Sequence, residues 1–165
     1  MALPSPITIS QEARLLKDEL DTYAQQYGGT AEVVSNLKDL WANVHINSQS
    51  PRILIVYAGE VARGSFSQIE PWHRVDREWH IAVTKGRGWY TQRGDHLFNH
   101  EQEEKPLYDV VEEIRDAVRW MTTISEENPG PDFRKIEPMS YGAMAVDGYL
   151  IKITTANDTP SKLNI

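Results

Sequence analysis

The most regular hydrophobic pattern in the chain lies between Pro106 and Met121. At about 100° per residue, its apolar side chains fall within an arc of roughly 120°, as in a helix that covers an apolar surface. They are Leu107, Val110, Val111, Ile114, Ala117, Val118 and Met121. Pro106 suits the first helical position, where a missing N–H costs nothing. Because strand-like segments stand on both sides, we expect this helix to lie across one face of a sheet.

A second apolar face predicts a helix near the N-terminus. Its residues share one side of the helical wheel and are Ala13, Leu16, Leu20, Tyr23, Ala24 and Tyr27. Ser10 is the expected N-cap, and the pair Gly28-Gly29 is the expected stop signal. Residues 1–8, which include Pro4 and Pro6, are predicted to form an extended arm ahead of this helix.

The segment Thr30 to Trp41 predicts another, short helix. Its apolar residues Val33, Leu37 and Trp41 are spaced by four positions, as on one side of a helix. A turn-rich break at residues 47–51 then separates this predicted helix from the first predicted strand.

Two strands are predicted before the central helix. Arg52 to Ala58 is a nearly continuous apolar run, which is typical of a strand covered on both faces. Gly59 to Trp72 has no periodicity and predicts a loop. His73 to Lys85 alternates, which predicts a half-buried strand antiparallel to the first. Its apolar side would carry Val75, Arg77, Trp79, Ile81 and Val83.

Two more strands are predicted after the central helix. They are Phe133 to Tyr141, which Pro138 interrupts, and Gly148 to Ala156. Asp147-Gly148 is a hairpin-type turn signal between them. The order of elements predicts a single α+β domain with a mainly antiparallel sheet of about four strands and helices packed on it.

Two segments are expected to lie outside the regular structure. Residues 86–105 are long, polar and charged, and they predict a mobile loop. Residues 157–165 are expected to form a C-terminal tail.

Composition narrows the function classes. A length of 165 residues fits one domain. The absence of cysteine excludes a disulfide framework and a thiolate metal site. A formal charge of −7 argues against a protein that tracks nucleic-acid phosphates. No apolar run approaches the roughly 20 residues that span a bilayer, and no basic region followed by an apolar one predicts a cleaved signal.

Candidate chemistry in the sequence is weak. His96, His100 and Glu101 have a spacing that a helical metal site uses, but their segment is predicted to be a loop, so we interpret them as solvated side chains. No nucleophile elbow, phosphate-binding loop or dinucleotide fingerprint is present. A small enzyme or ligand-binding domain stays open as an alternative, with His73, Glu78 and His80 near one predicted strand.

The order of these segments resembles a known family. The strand Pro51 to Tyr57 runs into Ala58-Gly59, the strand His73 to Trp79 follows, and after a charged loop a helix opens at Pro106 to Val110 ahead of a closing pair of strands. This arrangement resembles the bacteriophage tail-terminator or tail-completion proteins, particularly those of Mu-like contractile tails. The resemblance covers the chain from about Ile9 to Ala156.

The resemblance implies a structural role in virion assembly. Such proteins form a hexameric ring that caps the tail tube, ends its polymerisation and provides the surface to which the head docks. The implied partners are further copies of the chain, the tail tube protein and a head-completion or connector protein, while DNA passes through the ring without specific binding. The implied location is the head-proximal end of the tail in the virion, after assembly in the host cytoplasm. No catalytic residue, cofactor or metal is implied, and a head-tail joining (neck) protein is the alternative within the same particle.

A ring of this kind needs surfaces that bind the neighbouring subunits, and the sequence offers candidate residues for them. Leu15 and Trp120 lie off the apolar faces of their predicted helices, and Trp72, Trp89 and Tyr90 lie at or near predicted loops. Exposed residues of this kind are enriched at protein interfaces. The alternative is that loops of the same chain cover them. We also expect carboxylates to line the channel, because a basic lumen would bind DNA phosphates.

Overall fold

The computed structural model describes residues 8–36, 50–62, 72–86, 94–99, 105–119, 132–139 and 146–160. Its helices are α1 (Ile9–Gln25), α2 (Asp95–Phe98) and α3 (Leu107–Arg119). Its strands are β1 (Thr30–Val33), β2 (Arg52–Ala62), β3 (Trp72–Gly86), β4 (Asp132–Met139) and β5 (Val146–Pro160). They form one sheet in the order β1-β2-β3-β5-β4. Only the pair β1–β2 is parallel among these strands. The predicted α+β class is confirmed, with five described strands instead of about four.

Helix α1 begins with a capping box. The Gln11 amide donates to the Thr8 hydroxyl at 3.1 Å, and the Thr8 amide donates to the Gln11 side-chain oxygen at 2.8 Å. The N-cap is therefore Thr8, and the prediction of Ser10 was wrong. Ser10 is followed three positions later by an alanine, which has no side-chain acceptor to complete a box.

The predicted glycine stop after α1 is confirmed. Gly28 has a φ of 71°, and the Gly29 amide donates to the Ala24 carbonyl at 2.9 Å. A Cβ atom at Gly29 would lie 2.0 Å from the Pro51 carbonyl oxygen. The glycine pair therefore ends the helix and lets the chain approach Pro51 closely enough to start pairing with β2.

The helix predicted over Thr30 to Trp41 is wrong where the structure describes it. Thr30–Val33 is the strand β1, which pairs in parallel with Arg52 to Ile55 of β2, and residues 37–41 lie outside the described part. Ala31 is buried beneath α1, and its amide donates to the Asp21 carboxylate at 3.0 Å. Pairing with β2 overrides the weak helical spacing of this segment.

Strand β2 extends beyond its predicted end. Residues Ile53 to Val56 are buried, which confirms the strand covered on both faces, but Gly59 to Ala62 also belong to β2 and are not the predicted loop. A register shift between Tyr57 and Gly59 makes this possible, because Gly59 has a φ of 114° that a bulge can use. The bulge places Glu60 directly opposite Arg77 of β3.

The predicted faces of β3 and α3 are confirmed. The apolar stripe of α3 and the apolar side of β3 meet in one core between the helices and the sheet. Helix α1 packs over β1 and β2, and α3 packs over β3 and β4. The other face of β3 is not wholly polar, because Ala82 and Thr84 are also buried. Pro106 precedes α3 instead of occupying its first position, and its carbonyl accepts the Val110 amide at 3.1 Å.

Strand β5 contains the residues predicted to form a turn. Asp147 and Gly148 pair with Lys85 and Thr84 of β3, so the predicted hairpin turn is wrong. A Cβ atom at Gly148 would lie 2.9 Å from Thr84 Cγ2, and this close approach of two strands explains the glycine. Residues 157–160, expected in the C-terminal tail, continue β5.

Two further features correct the predicted boundaries. Pro138 lies inside β4, which tolerates it because β4 is an edge strand. Within the predicted loop 86–105, residues 95–98 form the short helix α2, and Leu97 packs against the core. The mobility expected for residues 86–105 stays a prediction.

Candidate functional site

The most unusual side chain in the core is Glu12. It lies in the first turn of α1 on the same side as Leu16, Leu20 and Ala24, and only 1% of its surface is exposed. A carboxylate in an apolar interior is costly unless hydrogen bonds and an opposite charge compensate it. Its surroundings must therefore supply donors.

Four donors from β3 and β5 surround this carboxylate. Glu12 Oε1 accepts from Trp79 Nε1 at 2.7 Å and from the Thr155 hydroxyl. Glu12 Oε2 accepts from Arg77 Nη1 at 3.2 Å and from Asn157 Nδ2 at 3.1 Å. We call these five residues the Glu12 cluster. An ionised carboxylate accepts about four hydrogen bonds, so this group is saturated and is poorly placed to act as a general base.

Arg77 connects the Glu12 cluster to the surface. Its Nε donates to Glu60 Oε1 at 2.7 Å, and the Glu60 side chain is 27% exposed. The ring of Tyr57 lies 5.3 Å from that of Trp79, and burial together with the Glu60 carboxylate raises the pKa of the Tyr57 hydroxyl. The bulge in β2 thus brings a second carboxylate to the same guanidinium.

A second polar cluster joins α1, α3 and the end of β3. Lys85 Nζ donates to the Lys105 carbonyl at 2.6 Å, while the Lys105 ammonium and the Tyr23 hydroxyl both bond to the Glu113 carboxylate. Burial first, and then the bond to Glu113, raise the pKa of Tyr23. The bond to Glu113 also raises the pKa of Lys105, whose ammonium lies 5.5 Å from the centre of the Tyr27 ring. These contacts fix the start of α3 against α1.

The predicted interface residues fall into two groups. Leu15 is 38% exposed on the outer side of α1, as its position on the wheel predicts. Trp72 begins β3, but the structure does not describe its side chain. Trp89, Tyr90 and Trp120 lie outside the described residues. Leu15 is therefore the one member of this set whose side chain the structure describes, and the interface role of all five stays a prediction.

Sequence reasoning missed other exposed apolar side chains. They occur on β1, β2, β4 and the helices and are Ile9, Val33, Tyr57, Val61, Phe98, Tyr108 and Phe133. The edge position of β1 and β4 leaves Val33 and Phe133 exposed, and edge position follows from sheet order, which the sequence pattern does not encode.

The alternative pocket is poorly supported. His80 Nε2 and Glu78 Oε1 lie 2.8 Å apart on the face of β3 turned away from the helices, and the side chain of His73 is not described. The side chain of His96 is likewise not described, and His100 and Glu101 lie outside the described part. Among the described residues, no group of three or more potential ligands is placed to hold a metal ion.

No helix in the described part of the chain is both long and apolar enough to cross a bilayer. No protein-family model and no curated protein gives a significant match to the sequence. The resemblance to tail-terminator proteins therefore rests on the order of elements and the strand patterns of the chain itself.

Replacing Glu12 by Gln should destabilise the protein strongly. The side-chain NH2 of glutamine would point toward groups that are themselves donors. The substitution would also remove the Glu12 carboxylate that pairs with Arg77. We expect the free energy of unfolding to fall by about 3 kcal/mol in urea titrations. The matched control is Glu19→Gln on the exposed side of the same helix, for which we expect a change within about 0.5 kcal/mol. Equal stability of the two variants would show that the Glu12 cluster contributes little.

The raised pKa of Tyr23 predicts a loss of stability in alkali. Its ordinary value is 10.0 and its value in the fold is higher, so this contribution is complete below pH 10 and is lost as the pH rises above it. The raised pKa of Lys105 likewise predicts that stability falls as the pH rises into the alkaline range. The fall in unfolding free energy from pH 9 to about pH 11 should be shallower in Tyr23→Phe than in the wild type. Tyr108→Phe, at an exposed position, is the control, and an unchanged slope in Tyr23→Phe would contradict the assignment.

Proposed function

We propose that this protein is a structural component of a phage tail. Copies of the chain form a ring that caps the tail tube, ends its polymerisation and provides the surface to which the head docks. The order of elements described above supports this role, together with the large apolar side chains that stay exposed on the domain.

The observation that carries the proposal is the separation of these exposed side chains. Val33 lies on β1 at one edge of the described sheet, Phe133 lies on β4 at the other edge, and Leu15 is exposed on the outer side of α1. A ring is built from one repeated head-to-tail contact, which needs two different surfaces on each copy. Two separated apolar sites on one small domain meet this requirement.

The buried polar groups fit a rigid building block. The Glu12 cluster and the contacts of Glu113 hold both helices in place, and their donors and acceptors are used in structural bonds. The proposed role needs no catalytic residue, cofactor or metal ion. Its partners are further copies of the chain, the tail tube protein and a head-completion or connector protein. The net charge of −7 suits a ring through which DNA passes without specific binding.

A tail terminator and a neck protein would both form a ring, so the structure to which the ring binds distinguishes them. Binding to the free end of purified tail tubes supports the terminator. Binding to heads or connectors and not to tubes supports the head-tail joining protein.

Light scattering and electron microscopy test the proposal directly. We expect particles of about six times the chain mass of 18.8 kDa with a central hole, formed either alone or on tail tubes. Leu15→Ser should keep the fold by circular dichroism but assemble only at higher concentration. Ile9→Ser, at a position of the same helix with a similar exposure of 37%, should assemble like the wild type. A wild-type protein that stays monomeric alone and with tubes would contradict the proposal.

A further inference from the structure

The second half of β2 is an exposed edge of the sheet. Residues Tyr57 to Ala62 pair with β3 on one side, whereas β1, the strand on the other side, pairs only with Arg52 to Ile55. No other strand of the described sheet lies beside this segment. Its side chains are open to solvent as well, since Tyr57 is 36% exposed and Val61 is 67% exposed. We call Tyr57 to Ala62 the β2 edge.

Main-chain groups of the β2 edge point away from β3. The Val34 amide donates to the Ile55 carbonyl at 3.0 Å, so the main-chain groups of Ile55 point toward β1. Every second residue of a strand points the same way, and the bulge after Tyr57 shifts this order by one position. The outward-pointing residues of the β2 edge are therefore Tyr57, Glu60 and Ala62. Their N–H and C=O groups can pair with an added strand.

The N-terminal arm has the composition of an outermost strand. It comprises residues 1–7, which lie outside the described part of the structure and contain no charged side chain. Pro4 and Pro6 have no N–H to donate. The remaining donors of this segment alternate with the prolines and belong to Leu3, Ser5 and Ile7. In an extended chain these three N–H groups point to one side, so the arm can pair on that side only, as the outermost strand of a sheet does.

The arm and the β2 edge also agree in length. Seven extended residues span about 24 Å, and the six residues of the β2 edge span about 20 Å. Because Val61 stays exposed in the single chain, the β2 edge is open to another molecule. The arm and the β2 edge are two different surfaces, and a contact between different surfaces is the head-to-tail type that closes rings. The arm of a second copy is therefore the partner that fits this edge.

We propose that the N-terminal arm of one protomer adds as an outer strand to the β2 edge of the next protomer in the ring. This inference rests on the proposed function, because it names a contact from which the ring is built. The N–H groups of Leu3, Ser5 and Ile7 face the β2 edge and hold the arm by main-chain hydrogen bonds. Pro4 and Pro6 then face outward and hinder the addition of a further strand.

Cross-linking between two variants tests this contact, because the chain has no cysteine of its own. One variant carries Ser5→Cys and the other carries Val61→Cys, so each has a single thiol. When the two variants assemble together into rings, a short bis-maleimide should join one copy of each, which mass spectrometry detects. The control pairs Ser5→Cys with Glu112→Cys, on the exposed side of α3, and should give no such product.

Removal of either half of the contact should weaken assembly. With residues 2–7 deleted, we expect half-assembly at a protein concentration about tenfold or more above that of the wild type, because three main-chain donors are lost. Ala62→Pro removes an outward N–H from the β2 edge while the bonds between β2 and β3 remain, so it should act in the same direction. Its control is Ala62→Thr, which keeps the N–H and should assemble like the wild type. Circular dichroism checks that each variant folds.

The outcomes separate the two proposals. If the wild type forms rings and the deletion of residues 2–7 assembles like it, or if the mixed cysteine variants give no joined product, the ring stands and this contact is wrong. If a chain with both cysteines is cross-linked internally while the mixed variants are not, the arm binds its own β2 edge and the proposed exchange is wrong. If the wild type forms no ring alone or on tail tubes, the proposed function fails, and the contact fails with it.

Discussion

The fold depends on one buried carboxylate. Glu12 places a charge in the apolar layer between α1 and the sheet, where it is stable only with its donors in position. The donors are distant in sequence, since Arg77, Thr155 and Asn157 stand 65, 143 and 145 positions away. One set of hydrogen bonds thus connects helix α1 to β3 in the middle of the sheet and to β5. Because the loss of any one donor costs free energy, these bonds favour a single alignment of α1, β3 and β5.

The Glu12 cluster also fixes strand register. A slip of β3 or β5 by one residue would turn Arg77 or Thr155 to the opposite face and leave the carboxylate without its donors. The bulge in β2 also contributes to this arrangement, because it brings Glu60 opposite Arg77. The orientation of α1 is fixed in turn, and with it the side of the helix on which Leu15 is exposed.

Much of this fold follows from periodicity, and the exceptions have physical causes. Helices α1 and α3 and strand β3 were predictable because each buries one regular side. Strand β1 was not, because its four residues gain stability from pairing with β2 and carry little pattern of their own. Gly148 indicated a turn, but it is a glycine because Thr84 lies too close for a side chain. Glycine alone does not distinguish these two uses.

The candidate site was predictable in part. The exposure of Leu15 followed from the helical wheel, whereas the exposure of Val33 and Phe133 depends on the position of β1 and β4 at the edges of the described sheet. A signal for the Glu12 cluster was present in the sequence, because Glu12 precedes Leu16, Leu20 and Ala24 at intervals of four and Arg77 lies on the apolar side of β3. Two opposite charges on the buried sides of two elements predict an ion pair between them. Of its further donors on β5, Thr155 lies inside the predicted strand Gly148 to Ala156, whereas Asn157 lies in the segment that was expected to form a tail.

We infer that Glu12 and Arg77 stabilise the fold jointly across the layer between α1 and the sheet. A double-mutant cycle with Glu12→Gln and Arg77→Met, measured by urea unfolding, determines whether they do. We predict a coupling free energy of about 1 to 3 kcal/mol between the two positions, above the level of exposed ion pairs. Additive effects, with a coupling below about 0.5 kcal/mol, would contradict the claim.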